Sequence, residues 1–135
     1  MKSWTVTQQL SLITGVLFLA HSIGGMVVNP DFAVGDDATS EVWLWMDWNG
    51  WHALAGIALW ATAIAVSPRA DLSRIFAVAV IATQLPLVGW MLVDSRPLGL
   101  LVMPSTADLV FHSVTVLLFV AALVIDRDRK AVTAR

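Results

Sequence analysis

Residues 6–28 read VTQQLSLITGVLFLAHSIGGMVV, a run of 23 residues that contains no charged side chain. An α-helix of this length, at about 1.5 Å per residue, spans the ~30 Å hydrocarbon core of a bilayer. We expect a helix because hydrocarbon offers no partners for unpaired backbone groups. The length of the run and its internal Gln8, Gln9 and His21 favour a retained membrane helix over a cleaved signal peptide.

Three further apolar runs follow the first one, over residues 49–66, 75–93 and 108–125. Hydrophobic residues make up 58% of the chain and charged residues 13%, whereas soluble domains have about 45–50% and about 25%. The chain therefore lacks the polar residues that would cover a water-soluble domain. We predict an all-α fold in which residues 1–135 form a single integral membrane domain. Its four transmembrane helices form a bundle of two helical hairpins.

Charge and composition also exclude several classes of function. The net charge is −2, and the basic residues lie at the chain ends and in two connections, which argues against nucleic-acid binding. The chain has no cysteine, which excludes disulfides and thiolate metal sites. It also has no glycine-rich phosphate loop, nucleophile turn or paired inward carboxylates, so we do not expect conventional enzyme chemistry.

Basic residues predict the orientation of the bundle in the membrane. Seven of the eight Lys and Arg residues fall on one side of the four predicted helices, and only Arg96 falls on the other. The seven are Lys2, Arg69, Arg74, Arg127, Arg129, Lys130 and Arg135. Because cytoplasmic loops carry an excess of Lys and Arg, we predict that both termini are cytoplasmic. The long first loop, residues 29–48, is then on the outer side, and it contains five acidic residues and no basic residue.

The first loop is also rich in tryptophan. Four indole rings fall close together near the predicted start of the second helix, at Trp43, Trp45, Trp48 and Trp51. Amphipathic indoles favour the headgroup region of a bilayer, so we interpret the four as an interfacial belt. The alternative is a platform on which a ligand or a lipid stacks.

All three histidines fall near the outer ends of predicted helices: His21 in the first, His52 in the second and His112 in the fourth. At about 1.5 Å per residue, their depths agree to within roughly 6 Å. Asp108 lies four residues before His112 and shares its helix face. Ionisable residues within a membrane are candidates for function, and histidine is the commonest metal ligand. The candidate ligands of a metal or haem are therefore His52, His112, Asp108 and His21. The alternative is that the histidines only form hydrogen bonds between helices and fix the bundle.

Three polar residues have a predicted structural role. Asn49 is a favourable N-cap for the second helix, and Asp108 follows Ser105 at the spacing of a capping box. Gln84 lies near mid-membrane beside Pro86, whose ring removes one intrahelical hydrogen bond. We expect Gln84 to satisfy a backbone group that the proline leaves free.

The residues around the histidines form two ordered motifs. Asn49-x-x-His52-x-x-x-Gly56 opens the second helix, and Pro104-x-Thr106-Ala107-Asp108-x-x-x-His112 opens the fourth. The other helices contribute Gly15-Val-Leu-Phe-Leu, Gly24-Gly25 and Gly89. In order and spacing, over about residues 10–125, these motifs resemble the small four-helix bacterial membrane proteins catalogued as domain of unknown function 4383.

That resemblance implies a four-helix integral membrane fold and no particular activity. The sequence departs from the family pattern at His21, at Leu109 and in its acidic, tryptophan-rich first loop. His52, Asp108 and His112 are then the polar set that this chain has in common with the family.

Three classes of function remain open. We expect a structural or accessory membrane protein with a polar His/Asp layer in the outer leaflet. The alternatives are a protein that binds metal, haem or quinone through His52 and His112, and a small transporter or channel. The sequence requires no cofactor. The expected partners are the lipid bilayer and either a second copy of the chain or a larger membrane complex, in the bacterial cytoplasmic membrane.

Overall fold

The computed structural model of the chain describes residues 4–133, and the side chains of residues 4–127. Within this range the chain forms four α-helices: α1 Val6–Val28, α2 Gly50–Val66, α3 Ala70–Met91 and α4 Thr106–Thr133. Three of them are long and apolar enough to span a membrane, and α2 is a shorter apolar helix of 17 residues. Lys2 and Arg135, which contribute to the predicted orientation, lie outside the described residues.

Two of the helices are longer than their apolar runs. The run predicted as residues 75–93 corresponds to α3, which begins at Ala70 and ends at Met91, two residues before the predicted end; Arg74 therefore lies within the helix and not in the turn before it. The run predicted as residues 108–125 belongs to α4, which continues to Thr133. A helix needs only its own backbone hydrogen bonds, so it continues where its side chains become polar. Asp71 also favours the first turn of α3 because a carboxylate is stabilised near a helix N-terminus.

Neighbouring helices pack in pairs, α1 against α2 and α3 against α4. Along α1, Gly15 faces Ile64 of α2 and Ser22 faces Gly56, so these two helices are antiparallel. The rings of Phe18 in α1 and Phe111 in α4 are 4.7 Å apart. The end of α1 and the start of α4 therefore lie together. We call this end of the molecule, with residues 29–49 and 92–105, the hairpin end, and the opposite one the terminal end.

A two-stranded antiparallel hairpin interrupts the first loop, with β1 at Glu41–Trp43 and β2 at Met46–Trp48. The predicted all-α fold does not include it. Its turn uses Leu44 at a φ of 58°, a left-handed conformation that only a few per cent of non-glycine residues adopt. The hairpin packs on α1 because Gly24 and Gly25 have no side chains there: a Cβ atom would overlap the rings of Trp43 and Trp48.

Asp31 holds the segment before this hairpin in place. Its carboxylate accepts hydrogen bonds from the Thr39 hydroxyl at 2.6 Å and from the backbone N–H groups of Ala33 and Thr39. These bonds, above all the one from the Thr39 hydroxyl, lower the pKa of the Asp31 carboxyl. The backbone carbonyl of Asp31 accepts a hydrogen bond from Gly50 N at 2.6 Å, which ties this segment to the start of α2.

Polar side chains point inward along the helices and large apolar ones point outward. Thr7, Ser11, Ser22 and Ser73 are almost fully buried, whereas Leu117 and other large apolar side chains are exposed. The apolar core is small and lies among α2, α3 and α4, at Trp60, Ala63, Phe76, Ala77, Val80 and Phe119. This inverted distribution is typical of helices that contact lipid, because hydrocarbon does not favour the burial of apolar side chains.

At the terminal end, the buried Asp126 of α4 binds the start of α1. Its Oδ1 accepts from Val6 N at 2.8 Å, and its Oδ2 accepts from Thr7 N at 3.0 Å and from the Thr7 hydroxyl at 2.7 Å. The first N–H groups of a helix have no partner within it, and the helix dipole favours a negative charge there. Asp126 therefore fixes the position of α1 against α4.

Candidate metal centre

Asn49 sets the position of His52 in the first turn of α2. The Asn49 side-chain oxygen accepts from His52 N at 2.9 Å, so Asn49 is the N-cap of the helix. Its amide nitrogen donates to the carbonyl of Leu100 at 2.7 Å, which joins the helix to the loop after α3. Asn49 and His52 are both buried, and the His52 ring is held inside the hairpin end.

The two nitrogens of the His52 ring have different surroundings. Nδ1 lies 2.8 Å from the backbone carbonyl of Asp47. A carbonyl oxygen only accepts hydrogen bonds, so Nδ1 carries the proton and the lone pair of a neutral ring is on Nε2. The ring stacks on Trp48 at a centroid distance of 4.4 Å, which fixes its plane.

Asp108 lies in the first turn of α4 and has no exposed surface. Its Oδ2 accepts from the Ser105 hydroxyl at 2.6 Å and from Asp47 N at 3.2 Å. Ser105 Oγ accepts in turn from Asp108 N at 3.2 Å, as in a capping box. The other oxygen, Oδ1, has no hydrogen-bond partner among the described residues.

His112 follows Asp108 one turn later and reaches across to α3. Its Nδ1 is hydrogen-bonded to the side-chain oxygen of Gln84, so this ring also donates from Nδ1. Gln84 therefore contacts a histidine, whereas the sequence predicted that it would satisfy the backbone near Pro86. The Nε2 atom of His112 is buried and has no partner within the described part of the chain.

These three residues come together in one buried cluster. His52, Asp108 and His112 each offer one ligand atom, and the three atoms lie within 4.8 Å of one another. A tetrahedral zinc ion with bonds of about 2.0–2.1 Å holds its ligand atoms about 3.4 Å apart. Modest side-chain rotations would therefore bring all three atoms onto one ion.

The hydrogen bonds around the cluster match those of known metal sites. A histidine that binds a metal usually donates its other ring N–H to a carbonyl or a carboxylate, which fixes the tautomer and the ring orientation. His52 donates to the Asp47 carbonyl and His112 to the Gln84 amide oxygen. The partner of His52 is a backbone atom and gives no signal in the sequence. Gln84 is detectable there as an amide within an apolar run.

His21 belongs to the same layer but does not join the cluster. Its Nε2 lies 3.2 Å from the carbonyl of Trp43. The Trp48 ring lies beside both histidines, 5.1 Å from His21 and 4.4 Å from His52. Of the three histidines that the sequence placed at one depth, the structure brings together His52 and His112, whose ring centroids are 5.9 Å apart.

The four tryptophans of the predicted belt have different environments. Trp48 is buried and Trp43 half-buried, both against α1. Trp45 is 57% exposed at the tip of the hairpin. Trp51 is half-buried, and its Nε1 donates to the carbonyl of Phe32 at 2.9 Å. Trp45 therefore presents the largest free ring surface of the four.

A cavity adjoins the cluster on its inner side. Its volume is about 80 Å³, and apolar side chains form most of its wall. Its polar lining residues are His21, Ser22, His52, Gln84 and His112. One water needs roughly 10–15 Å³ on this scale, so the cavity has room for several waters or for a small ligand beside the two imidazoles.

Comparisons with known proteins agree with the sequence motifs. A search of curated proteins gave no match, and a search of solved structures gave none either. The profile of one family matches residues 8–125, a range that includes His52, Asp108 and His112. This match confirms the resemblance that the order and spacing of the motifs indicated. The chain belongs to the family described as Domain of unknown function (DUF4383).

Proposed function

We propose that this chain is an integral membrane protein that binds a divalent transition-metal ion through His52, Asp108 and His112. Zinc suits the ligand set best, since imidazole nitrogens and a carboxylate oxygen are among its usual ligands. The site lies at the hairpin end, which we assign to the outer side of a bacterial cytoplasmic membrane.

The membrane topology in this proposal is four crossings with both termini in the cytoplasm. Arg69, Arg74 and Arg127 lie at the terminal end, whereas Arg96 lies at the hairpin end together with the acidic first loop. The positive-inside rule assigns the more basic end to the cytoplasm. The 17 residues of α2 are at the lower limit of about 17–25 for a membrane span.

The metal proposal rests on two of the buried side-chain atoms that have no hydrogen-bond partner among the described residues, Asp108 Oδ1 and His112 Nε2. A buried polar group that forms no hydrogen bond destabilises a protein by about 1–3 kcal/mol. Asp108 and His112 belong to one cluster with His52. A ligand that binds between the two unpaired atoms would give both of them a partner.

A purely structural role accounts for only part of this arrangement. Hydrogen bonds from the two Nδ1 atoms hold His52 to the chain before α2 and His112 to α3. Helix association alone does not explain why Asp108 Oδ1 and His112 Nε2, which lie in one cluster, both lack a partner in the part of the chain that the structure describes. A bound cation satisfies both atoms at once.

The cavity favours an ion over the larger cofactors. Pockets for ligands of ordinary organic size have volumes of about 300–1,000 Å³, well above the 80 Å³ next to the cluster. A haem or a whole quinone therefore does not fit, whereas an ion with one small ligand does. Three protein ligands leave a fourth zinc position open, as in zinc sites that bind or activate a small molecule.

Metal content of the purified protein tests the proposal. The protein is isolated in detergent through a tag without histidine, loaded with zinc, passed over a desalting column and assayed by mass spectrometry. We expect about one zinc per chain, and a loss of that zinc in His52→Gln and His112→Gln. His21→Gln is the matched control, because His21 lies in the same layer outside the cluster, and it should keep the metal. A wild-type protein that stays folded and holds no zinc would refute the proposal.

A further inference from the structure

The cavity beside the metal centre has a mostly apolar wall and a few polar residues. Apolar side chains from all four helices, from β2 and from the loop before α4 form the wall, and the polar lining residues are His21, Ser22, His52, Gln84 and His112. That wall includes Leu59, Leu87, Leu101 and Met103. This lining fits an amphiphile with a small polar head better than a freely water-soluble metabolite.

The exposed part of the cavity lining indicates an opening between α2 and α3. These two helices pack less closely on each other than α1 packs on α2 or α3 on α4. Ala55 of α2 lines the cavity and is exposed, and Leu59 and Leu87 line it and are half-buried. In the membrane orientation proposed above, this gap faces the lipid. A ligand would enter from the bilayer.

The volume limits how much of a ligand lies inside. A cavity of 80 Å³ is smaller than the 150 Å³ of an engineered cavity that holds one benzene molecule. It accommodates a compact head and the first carbons of a chain. A phospholipid headgroup is too large, and the remainder of a single chain must extend through the gap between α2 and α3.

The net charge of the metal centre determines which polar head of an amphiphile can bind there. A divalent ion with the Asp108 carboxylate and two neutral imidazoles has a net charge of +1. An uncompensated charge in apolar surroundings is strongly unfavourable. A monoanion at the open coordination position neutralises the centre, and a carboxylate oxygen binds zinc at about 2.0–2.2 Å.

We infer that the cavity binds one fatty acid, with its carboxylate on the metal and its chain in the gap between α2 and α3. The inference rests on the proposed metal centre. It adds the ligand of the fourth position and the path by which that ligand arrives.

Carboxyl-labelled lauric acid is a suitable probe, observed by carbon-13 NMR with the full chain in maltoside micelles. For zinc-loaded protein we expect a bound carboxyl signal, separate from the micellar one, that saturates at one fatty acid per zinc. Zinc-free protein should give only the micellar signal. Unlabelled acetate at the same concentration should not displace the bound signal, which distinguishes a lipid-borne carboxylate from a free one.

A pair of leucine substitutions tests the position of the chain. Ala55→Leu places a larger side chain in the mouth of the cavity and should abolish the bound signal while zinc is retained. Ala58→Leu is the matched control: Ala58 is also exposed on α2 but does not line the cavity, and this variant should bind as the wild type does.

The results separate this inference from the metal proposal. Zinc-loaded wild-type protein without a bound carboxyl signal would overturn the fatty-acid site and leave the metal centre intact. A bound signal that survives zinc removal or Ala55→Leu, or that acetate displaces, would also overturn the fatty-acid site. Failure to load zinc at all would overturn both.

Discussion

Asp108 and Asp126 are two buried carboxylates near opposite ends of α4, and their surroundings differ in one respect. Both oxygens of Asp126 accept hydrogen bonds, from Val6 and Thr7 at the start of α1. Only one oxygen of Asp108 has a partner among the described residues. A carboxylate that the protein satisfies completely fixes helices in place. A carboxylate that has one unpaired oxygen and lies beside two imidazoles is available to a ligand.

Zinc affinity gives the largest expected difference between the two aspartates. Asp108→Asn replaces a charged ligand by a neutral amide and should weaken zinc binding by about 100-fold or more, since even partners of metal ligands contribute about 10–100-fold. Asp126→Asn should leave the affinity unchanged. Competition with a coloured chelator measures both. Equal losses in the two variants would remove the distinction between them.

The two aspartate substitutions should affect the stability of the protein in the opposite order. Asp126→Asn removes the charge and turns an amide N–H₂ toward donors of α1, which should lower the free energy of unfolding by about 2–3 kcal/mol. Asn at position 108 retains one acceptor for Ser105 and Asp47, so zinc-free Asp108→Asn should lose less than about 1 kcal/mol. Thermal denaturation in detergent compares them. A larger loss for Asp108→Asn would show that its role is structural.

Gln84 allows a finer test at the cluster. Gln84→Leu removes the acceptor for His112 Nδ1–H, and this should weaken zinc binding by about 10-fold to 100-fold. Gln84→Glu keeps an acceptor oxygen and should retain zinc affinity close to that of the wild type. If both variants bind zinc equally well, the orientation of His112 does not depend on Gln84.

Thr7 gives the smallest expected effect, at the terminal end. Thr7→Val removes one of the three hydrogen bonds to Asp126 with little change in shape, and should destabilise the protein by about 1 kcal/mol. Zinc affinity should not change. A change in zinc affinity would mean that the two ends of α4 are coupled.

The sequence predicted the helices better than their connections. The run of residues 6–28 coincides with α1 because an uncharged run of that length has few alternatives in a bilayer. The hairpin of β1 and β2 gave no such signal. Its turn uses Leu44 with φ > 0 where an Asn-Gly or Asp-Gly pair is usual, and its strands are only three residues long.

The sequence identified the candidate histidines but did not show which of them lie together. Their depth along the helices marked His21, His52 and His112 as equally good candidates for one site. The structure separates His21 from the other two because the hairpin places Trp48 beside it. Asp126 belongs to a charged tail in the sequence, and only the antiparallel packing of α1 and α4 brings it to the start of α1. Such contacts depend on tertiary packing, which periodicity and spacing do not specify.

Zinc K-edge X-ray absorption on the loaded protein is the sharpest test of the metal centre, because it reports which atoms surround the ion. We expect four light ligand atoms at about 2.0–2.1 Å, with the outer-shell scattering of two imidazoles. The Asp126→Asn variant should give the same spectrum, and His112→Gln should lose one imidazole. A spectrum of six oxygen ligands without imidazole scattering would contradict a metal centre at His52, Asp108 and His112.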